Sequence, residues 1–577
     1  MTTEVEERIR KAAILNAIRH EGKADAKAVL GNLLGDNPDL RSKARELMSQ
    51  VQKVVEETNS TPLTELEASA KQKWPEEFVR ERVEEVKTLP PLPNAEKYSL
   101  IVTRLAPNPD FVLHIGNARA AILCHDYARM YKGKFIVRFE DTDPRLKKAQ
   151  LEYYDLIRED LRWLGCEWDA EYIQSDRVES YYDVGLKLLT TGAAYVCECK
   201  PEQFRDLVNR SMACPDRDLP PATHVERWKK MLSGGYAEGQ AVVRVKTDLN
   251  HANPAIRDWP GFRVIDTERT PHPRVGSKFR VWPLYNIASG VDDHALGITH
   301  VIRGKEHLTN MERQRYLYDR MKWIYPDAVH YGRLKVEGMN LSKSKLMKAL
   351  ELKEVSGVDD PRLGTLAALR RRGYNPEAIR KLIWDVGPKP VDVTVSWDNL
   401  NSLNRKIIDP TTPRFYFVPN PTKTTVKGVE KEYQVKAPLH PQHPEMGVRT
   451  FKIHPRDGIA DFYLAQPDVS NLQVGKMVRL MGLFNMKITH LTQGQVEGEF
   501  AGESVSESKN TQMFQWVPAE ENIATKVVMP DANETNGLAE VGVKSLGLGT
   551  VIQFVRFGFG RIDHISTDHV TVYFAHQ

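Results

Sequence analysis

Residues 99–139 read SLIVTRLAPNPDFVLHIGNARAAILCHDYARMYKGKFIVRF, and this stretch decides the fold. Ser99–Val102 is short and apolar, as a strand requires. Pro107 and Pro109 make the next segment a loop. From about Gly116 to Tyr131 the sequence reads as a helix, closed by Gly133. Lys134–Phe139, rich in Phe, Ile and Val, is a second strand. Strand, loop, helix, strand is the order of a parallel α/β sheet. Val112-Leu-His-Ile-Gly-Asn117 then lies where a strand hands over to a helix. A helix N-terminus offers unpaired N–H groups and partial positive charge, so it suits phosphate. Gly116 lets a nucleotide approach the backbone, and His114 can donate a hydrogen bond where phosphate charge builds.

Further α/β pattern runs through Leu296–Leu317 and ends near Lys345. There Met339-Asn-Leu-Ser-Lys-Ser-Lys345 forms a short polar loop, its Lys343 lying 229 residues beyond His114. Lys343 can reach a leaving pyrophosphate as a mobile cation, and the small serines let the loop close. Either motif alone is a turn or a solvated loop. In this order, with α/β pattern around both, the pair resembles the two signatures of class I aminoacyl-tRNA synthetases. The resemblance implies a Rossmann-type domain that binds ATP with Mg2+. It assigns His114 and Lys343 as catalytic, and His114, Gly116, Asn117, Ser342, Lys343 and Ser344 to ATP. Asn117 and Asn340 stand where the family often has His and Lys.

Thr103-Arg-Leu-Ala-Pro-Asn-Pro109 and Phe139-Glu-Asp-Thr-Asp-Pro144 resemble the glutamyl/glutaminyl subgroup, the second in its glutamyl form. Read chemically, an amino acid needs an anion for its ammonium, and Glu140 at a strand end supplies one. A carboxylate side chain needs a guanidinium fork; Arg104 and Arg303 are candidates, or each pairs with a nearby acid. The resemblance places Arg104, Glu140, Tyr285 and Arg303 on L-glutamate and Glu306 near the pocket. It implies transfer of glutamate to tRNA(Glu), leaves open tRNA(Gln) as a second acceptor beside it, and implies no separate editing domain.

The flanking regions extend this plan. Residues 1–94 read as a helical extension ending in the proline cluster Leu89–Asn94. Residues 95–190 and 281–345 form the two catalytic halves around an insertion at 191–280, which by resemblance guides the tRNA acceptor stem. Cys197, Cys199 and Cys214 there are three zinc ligands, with Asp216 or His224 as a fourth, or else three ordinary thiols. Arg244, Lys246 and Arg257 are candidate phosphate contacts or a solvated face. Residues 346–400 resemble a helical stem-contact region whose Arg370-Arg-Arg372 suits an RNA backbone or a solvated helix face. Residues 401–577 read as β and resemble the anticodon-binding barrels of the archaeal and eukaryotic type. Arg414-Phe-Tyr-Phe417 and Arg556-Phe-Gly-Phe559 there are stacking candidates or core.

Bulk properties agree. Five cysteines in 577 residues argue against a disulfide scaffold and for a reducing cytoplasm. No apolar run reaches the roughly 20 residues that span a bilayer. A net charge of +4 permits a polyanionic partner. A monomer is expected, with protein partners open. The competing readings are a glutaminyl enzyme, an inactive tRNA-binding scaffold, and a truncated relative that modifies a base.

Overall fold

The computed structural model describes residues 3–19, 22–36, 44–74, 88–338, 343–492, 494–504 and 512–577. Two compact units separate at Thr88 and Leu89. The first holds four helices, α1 (Thr3–Arg19), α2 (Ala26–Asp36), α3 (Ala44–Asn59) and α4 (Leu63–Lys73). Ile9, Ala13 and Ala17 repeat every four residues along α1 and are fully buried against Leu47 and Val51 of α3.

The second unit begins with β1 (Val102–Leu105), α5 (Ile115–Met130), β2 (Lys134–Phe139), α6 (Leu151–Trp163) and β3 (Ala170–Ile173). Ser99, Leu100 and Ile101 stay outside β1, whose parallel pairing with β2 begins at Val102 and runs on to Leu105. The return at Gly133 depends on glycine, since a Cβ there would lie 2.0 Å from the Ile101 carbonyl oxygen. An inserted lobe follows, made of α7 (Val178–Thr190), β4 (Ala194–Cys197), α8 (Pro201–Asn209), α9 (Pro221–Leu232), β5 (Val242–Val245), β6 (Pro260–Val264) and β7 (Val281–Pro283). Its four strands pair antiparallel in chain order. The chain then re-enters the first layer through α10 (Tyr285–Ala295), β8 (His300–Gly304), α11 (Leu308–Met321) and β9 (Asp327–Tyr331).

The main sheet runs β3-β2-β1-β8-β9, with every pair parallel. Strand order moves one way from β1 to β3, then restarts on the other side with β8. The switch lies between β1 and β8, and such switch points open a crevice at the strands' C-terminal ends. Beyond the sheet come β10 (Leu334–Val336), α12 (Lys343–Glu351), α13 (Leu366–Arg372), α14 (Pro376–Val386), β11 (Val393–Val395), which pairs with β10, and α15 (Trp397–Ile408). Ile122 of α5, Val137 of β2, Leu366 of α13 and Ile383 of α14 are all fully buried in one shared core. Each such side chain contributes about 1.5–3 kcal/mol, so the helices after the second signature are built into the catalytic core.

The rest is β. Residues 414–419 pair with strands from 522–576 in one seven-stranded sheet, and residues 421–518 supply another. Thr422, Thr424 and Val426 alternate inward along Pro421–Lys427, as a sheet with one covered face requires. Phe415, Tyr416 and Phe417 are all buried, as is Phe559. The sequence left these rings between stacking and core; here they are core.

Candidate active site

The site is best followed from its phosphate end. His114 keeps extended backbone angles and caps α5. Its Nδ1 accepts from the Gly116 N–H at 3.0 Å, and the Asn117 side chain accepts from the His114 N–H at 3.2 Å. This reciprocal pair is a capping box, and such caps are each worth about 1 kcal/mol. A Cβ on Gly116 would sit 2.7 Å from His114 Cε1 and 2.9 Å from Nδ1. The glycine therefore makes room for the histidine ring, and it also lines the cavity beside it. Burial pulls the His114 pKa down to about 4. The ring is neutral at pH 7, and with Nδ1 accepting, its proton is on Nε2.

Beside this cap lies a cavity of about 670 Å³, lined by His114, Gly116, Asn117, Glu306, Tyr331 and Lys335 among others. That volume suits a nucleotide-sized ligand. Arg119, one and a half turns into α5 and fully buried, straps its walls together. It donates to the Gly332 carbonyl at 2.5 Å and the Gly387 carbonyl at 2.5 Å, and lies 4.8 Å from the Tyr331 ring centre. Ile115 N–H bonds the Gly364 carbonyl and Leu366 N–H the Leu113 carbonyl, at 3.1 and 3.0 Å. The first signature is thus tied directly to the start of α13. Residues 339–342 of the second signature, Ser342 included, lie outside the described residues; Lys343 and Ser344 begin α12.

The second end of the site sits at the C-terminal tips of β1, β2 and β8. Arg104 (β1), Glu140 (just past β2), Tyr285 (start of α10) and Arg303 (β8) gather there. The Glu140 N–H bonds the Pro107 carbonyl at 2.9 Å, folding the proline loop over the tip of β2. Arg104 turns its Nε to Asp293 at 3.0 Å. Arg138, fully buried, donates to Asp293 at 2.6 Å, Glu140 at 2.9 Å and Ser289 at 3.1 Å. Burial opposes ionisation of Asp293, yet Arg104 and Arg138 hold its pKa below the usual carboxylate value. Glu140 goes the other way: burial raises its pKa, and Arg138 only partly offsets that.

Arg303 differs from both. It is 6% exposed, and its fork meets the Tyr285 hydroxyl at 3.4 Å, the Gln314 carbonyl oxygen at 3.1 Å and the Tyr325 hydroxyl at 3.1 Å. Among the described residues no carboxylate lies within ion-pair distance of it. Asp292 lies 3.9 Å from Arg138 and pairs with Arg177, so four guanidiniums, Arg104, Arg138, Arg177 and Arg303, face three carboxylates, Asp292, Asp293 and Glu140. A buried cation without a counterion is costly unless a ligand supplies one. His307 and His330 close the rim, each pulled down to about 4, first by burial and then by Arg303.

Arg138, Asp293, Gln314 and Arg119 carry much of this geometry and were not singled out from the sequence. Two signals were available. Arg138 near the end of β2 and Glu140 just past it lie two residues apart, the spacing of one strand face. The adjacent acids Asp292 and Asp293 follow the small and apolar run Ile287–Val291, which calls for cations beside them.

In the inserted lobe, Cys197 and Cys214 have their sulfurs 3.5 Å apart, Cys199 and Cys214 3.2 Å. With Asp216 their ligand atoms all lie within 4.8 Å of one another. Zinc–sulfur bonds of about 2.3 Å set tetrahedral sulfur pairs near 3.8 Å, so the four residues fit zinc. The hydrogen bond from Cys214 pulls Cys197 down to about 6, with Arg244 adding to it. His224 is not the fourth member; its Nδ1 accepts from the Val196 N–H at 3.3 Å.

The basic residues proposed for RNA are largely engaged. Arg244 is buried against the Phe204 ring, and Arg257 bonds the Val208 carbonyl at 2.7 Å. Arg370 pairs with Glu159, Arg371 with Asp563, and Arg372 bonds the Ala575 carbonyl. These arginines clamp α13 to α6 and to the last strands. Among the described residues no helix is long and apolar enough to cross a membrane.

A switch-point crevice with a capped helix N-terminus beside a nucleotide-sized cavity defines a nucleotide-binding α/β enzyme. Residues 100–410 match the family described as tRNA synthetases class I (E and Q), catalytic domain, and residues 412–502 and 513–563 match its anti-codon binding domains. The glutamate–tRNA ligase of Pyrococcus furiosus is 49% identical over all of both chains, and that of Thermococcus kodakarensis likewise. The ligase of Hyperthermus butylicus is 45% identical over 96% of this chain and 97% of its own. A solved glutamate tRNA ligase from Elizabethkingia meningosepticum aligns with 54% of this chain and 70% of its own, at TM-score 0.41 and 22% identity. The chain belongs to the class I tRNA synthetases of the E and Q group.

Proposed function

We propose that this chain activates L-glutamate with ATP and transfers it to the 3′ end of tRNA(Glu). The observation that carries the choice of amino acid is Arg303, a buried guanidinium held, among the described residues, by neutral oxygens. Glutamate carries one net negative charge and meets the surplus of one cation; glutamine leaves it unpaired. In this reading Glu140 takes the ammonium group, and Arg104, Tyr285 and Arg303 take carboxylate oxygens. Taking up an ammonium also favours the ionised form of Glu140, whose pKa burial raises.

The first step forms a bond from the glutamate α-carboxylate oxygen to the α-phosphorus of ATP. The bond to the bridging oxygen breaks, and pyrophosphate leaves; Mg2+ carried in with ATP would offset its charge. His114, neutral with its proton on Nε2, donates to the phosphate oxygens as charge grows, and Lys343 meets the departing pyrophosphate. The terminal ribose hydroxyl of tRNA then attacks the glutamyl carbonyl, and AMP leaves. No Ser or Cys nucleophile is required, because the work is alignment and charge stabilisation. Cys197, Cys199, Cys214 and Asp216 would hold a structural zinc that fixes the turns of the inserted lobe. The test is to incubate the purified chain with ATP, tRNA and labelled amino acid. Label from glutamate on the 3′ ribose supports the reading, and label from glutamine alone overturns it.

A further inference from the structure

We propose that Gln314 is a positioning residue that holds Arg303 in place without neutralising it, and so keeps the pocket charged for a substrate carboxylate. This rests on the glutamate reading above and goes beyond it. Gln314 lies on α11 and is fully buried. Its side-chain oxygen accepts from Arg303 at 3.1 Å and from the Tyr325 hydroxyl at 3.0 Å. The same Arg303 nitrogen donates to the Tyr325 hydroxyl at 3.1 Å, closing a triangle. Burial raises the Tyr325 pKa, so the phenol stays a donor at neutral pH.

The choice of an amide is telling against its surroundings. Asp293 accepts from both Arg104 and Arg138, Glu140 accepts from Arg138 as well, and Asp292 pairs with Arg177 at 2.8 Å. A glutamate at position 314 would have the same length and would make a buried ion pair with Arg303. The guanidinium would be held at least as firmly, but its charge would be spent inside the protein. An amide gives the same geometry and leaves the charge for a ligand.

Gln314→Glu separates these two roles. The reading expects its KM for glutamate in tRNA charging to rise by tenfold or more, a loss of about 1.4 kcal/mol or greater. The KM for ATP stays within twofold, and the melting temperature does not fall. The introduced carboxyl, paired with Arg303, is ionised throughout pH 6 to pH 8, so the effect should hold over that range. A glutamate KM within twofold of wild type across that range overturns the role. If that variant folds poorly, Gln314→Met, close in volume and without an acceptor, should raise the glutamate KM threefold or more with ATP unaffected. An unchanged glutamate KM in it overturns the role equally. Failure of the wild-type chain to charge glutamate at all would instead remove the function proposed above.

Discussion

Gly116→Ala is the sharpest perturbation of the phosphate end, because one methyl group acts on one ring. The added carbon would lie 2.7 Å from His114 Cε1 and 2.9 Å from Nδ1, against an ordinary contact of 3.4 Å or more. Helix α5 is packed on all sides, with Ile115, Ala118, Ala121 and Ile122 buried. The ring must therefore move by about half an ångström to 1 Å and give up its bond to the Gly116 N–H. Losing the cap costs about 1 kcal/mol, and the crowding about 1–3 kcal/mol more. Displacing a group that contacts the reacting phosphate by that distance costs about a hundredfold in rate. The assay is ATP–pyrophosphate exchange with glutamate and tRNA present, beside a thermal melt. A variant that melts a few degrees lower and exchanges pyrophosphate at the wild-type rate would refute the placement of His114 at the phosphate.

Asp160 of α6 is 1% exposed, and burial pushes its pKa up to about 7. Folded protein then binds a proton that the unfolded chain releases near pH 4, so its contribution falls as pH rises from about 4 to about 7. Asp160→Asn should stabilise the fold at pH 8 by an amount on the order of 2–4 kcal/mol, read as a higher melting temperature, and leave stability unchanged at pH 4; no gain at pH 8 contradicts the burial argument. Zinc should copurify at one ion per chain, with Cys214→Ser losing it; a metal-free preparation that charges tRNA fully removes the site. Lys343→Ala should lower the activation rate by about a hundredfold or more while tRNA binding holds within twofold; a near-normal rate takes away its role.

Much of this architecture was legible in residues 99–139, because local patterning reports local structure. Lys134–Phe139 is a strand over the span its β-formers predict, and α5 begins one residue from its expected start. Arg104, Glu140, Tyr285 and Arg303, scattered over 200 residues, do converge at the strand tips. What stayed hidden is long-range pairing. Asp293 lies 189 residues from Arg104 and 155 from Arg138, and no periodicity connects them. The run Arg370–Arg372 shows the same limit. Three successive arginines read alike in sequence, yet they turn to Glu159, Asp563 and the Ala575 carbonyl, because a helix sends consecutive side chains in different directions. The fourth metal-cluster member was likewise undecided between Asp216 and His224 until the turn at Cys214–Asp216 brought the carboxylate round.

In the proposed function Arg303, a buried cation with no counterion among the described residues, selects the amino acid. The most direct test is the ratio of kcat/KM for glutamate over glutamine in tRNA charging by the wild-type chain. Leaving that charge unmet should cost about 3 kcal/mol or more, so a ratio of at least about a hundred is predicted. Equal use of the two amino acids, or a preference for glutamine, would contradict it.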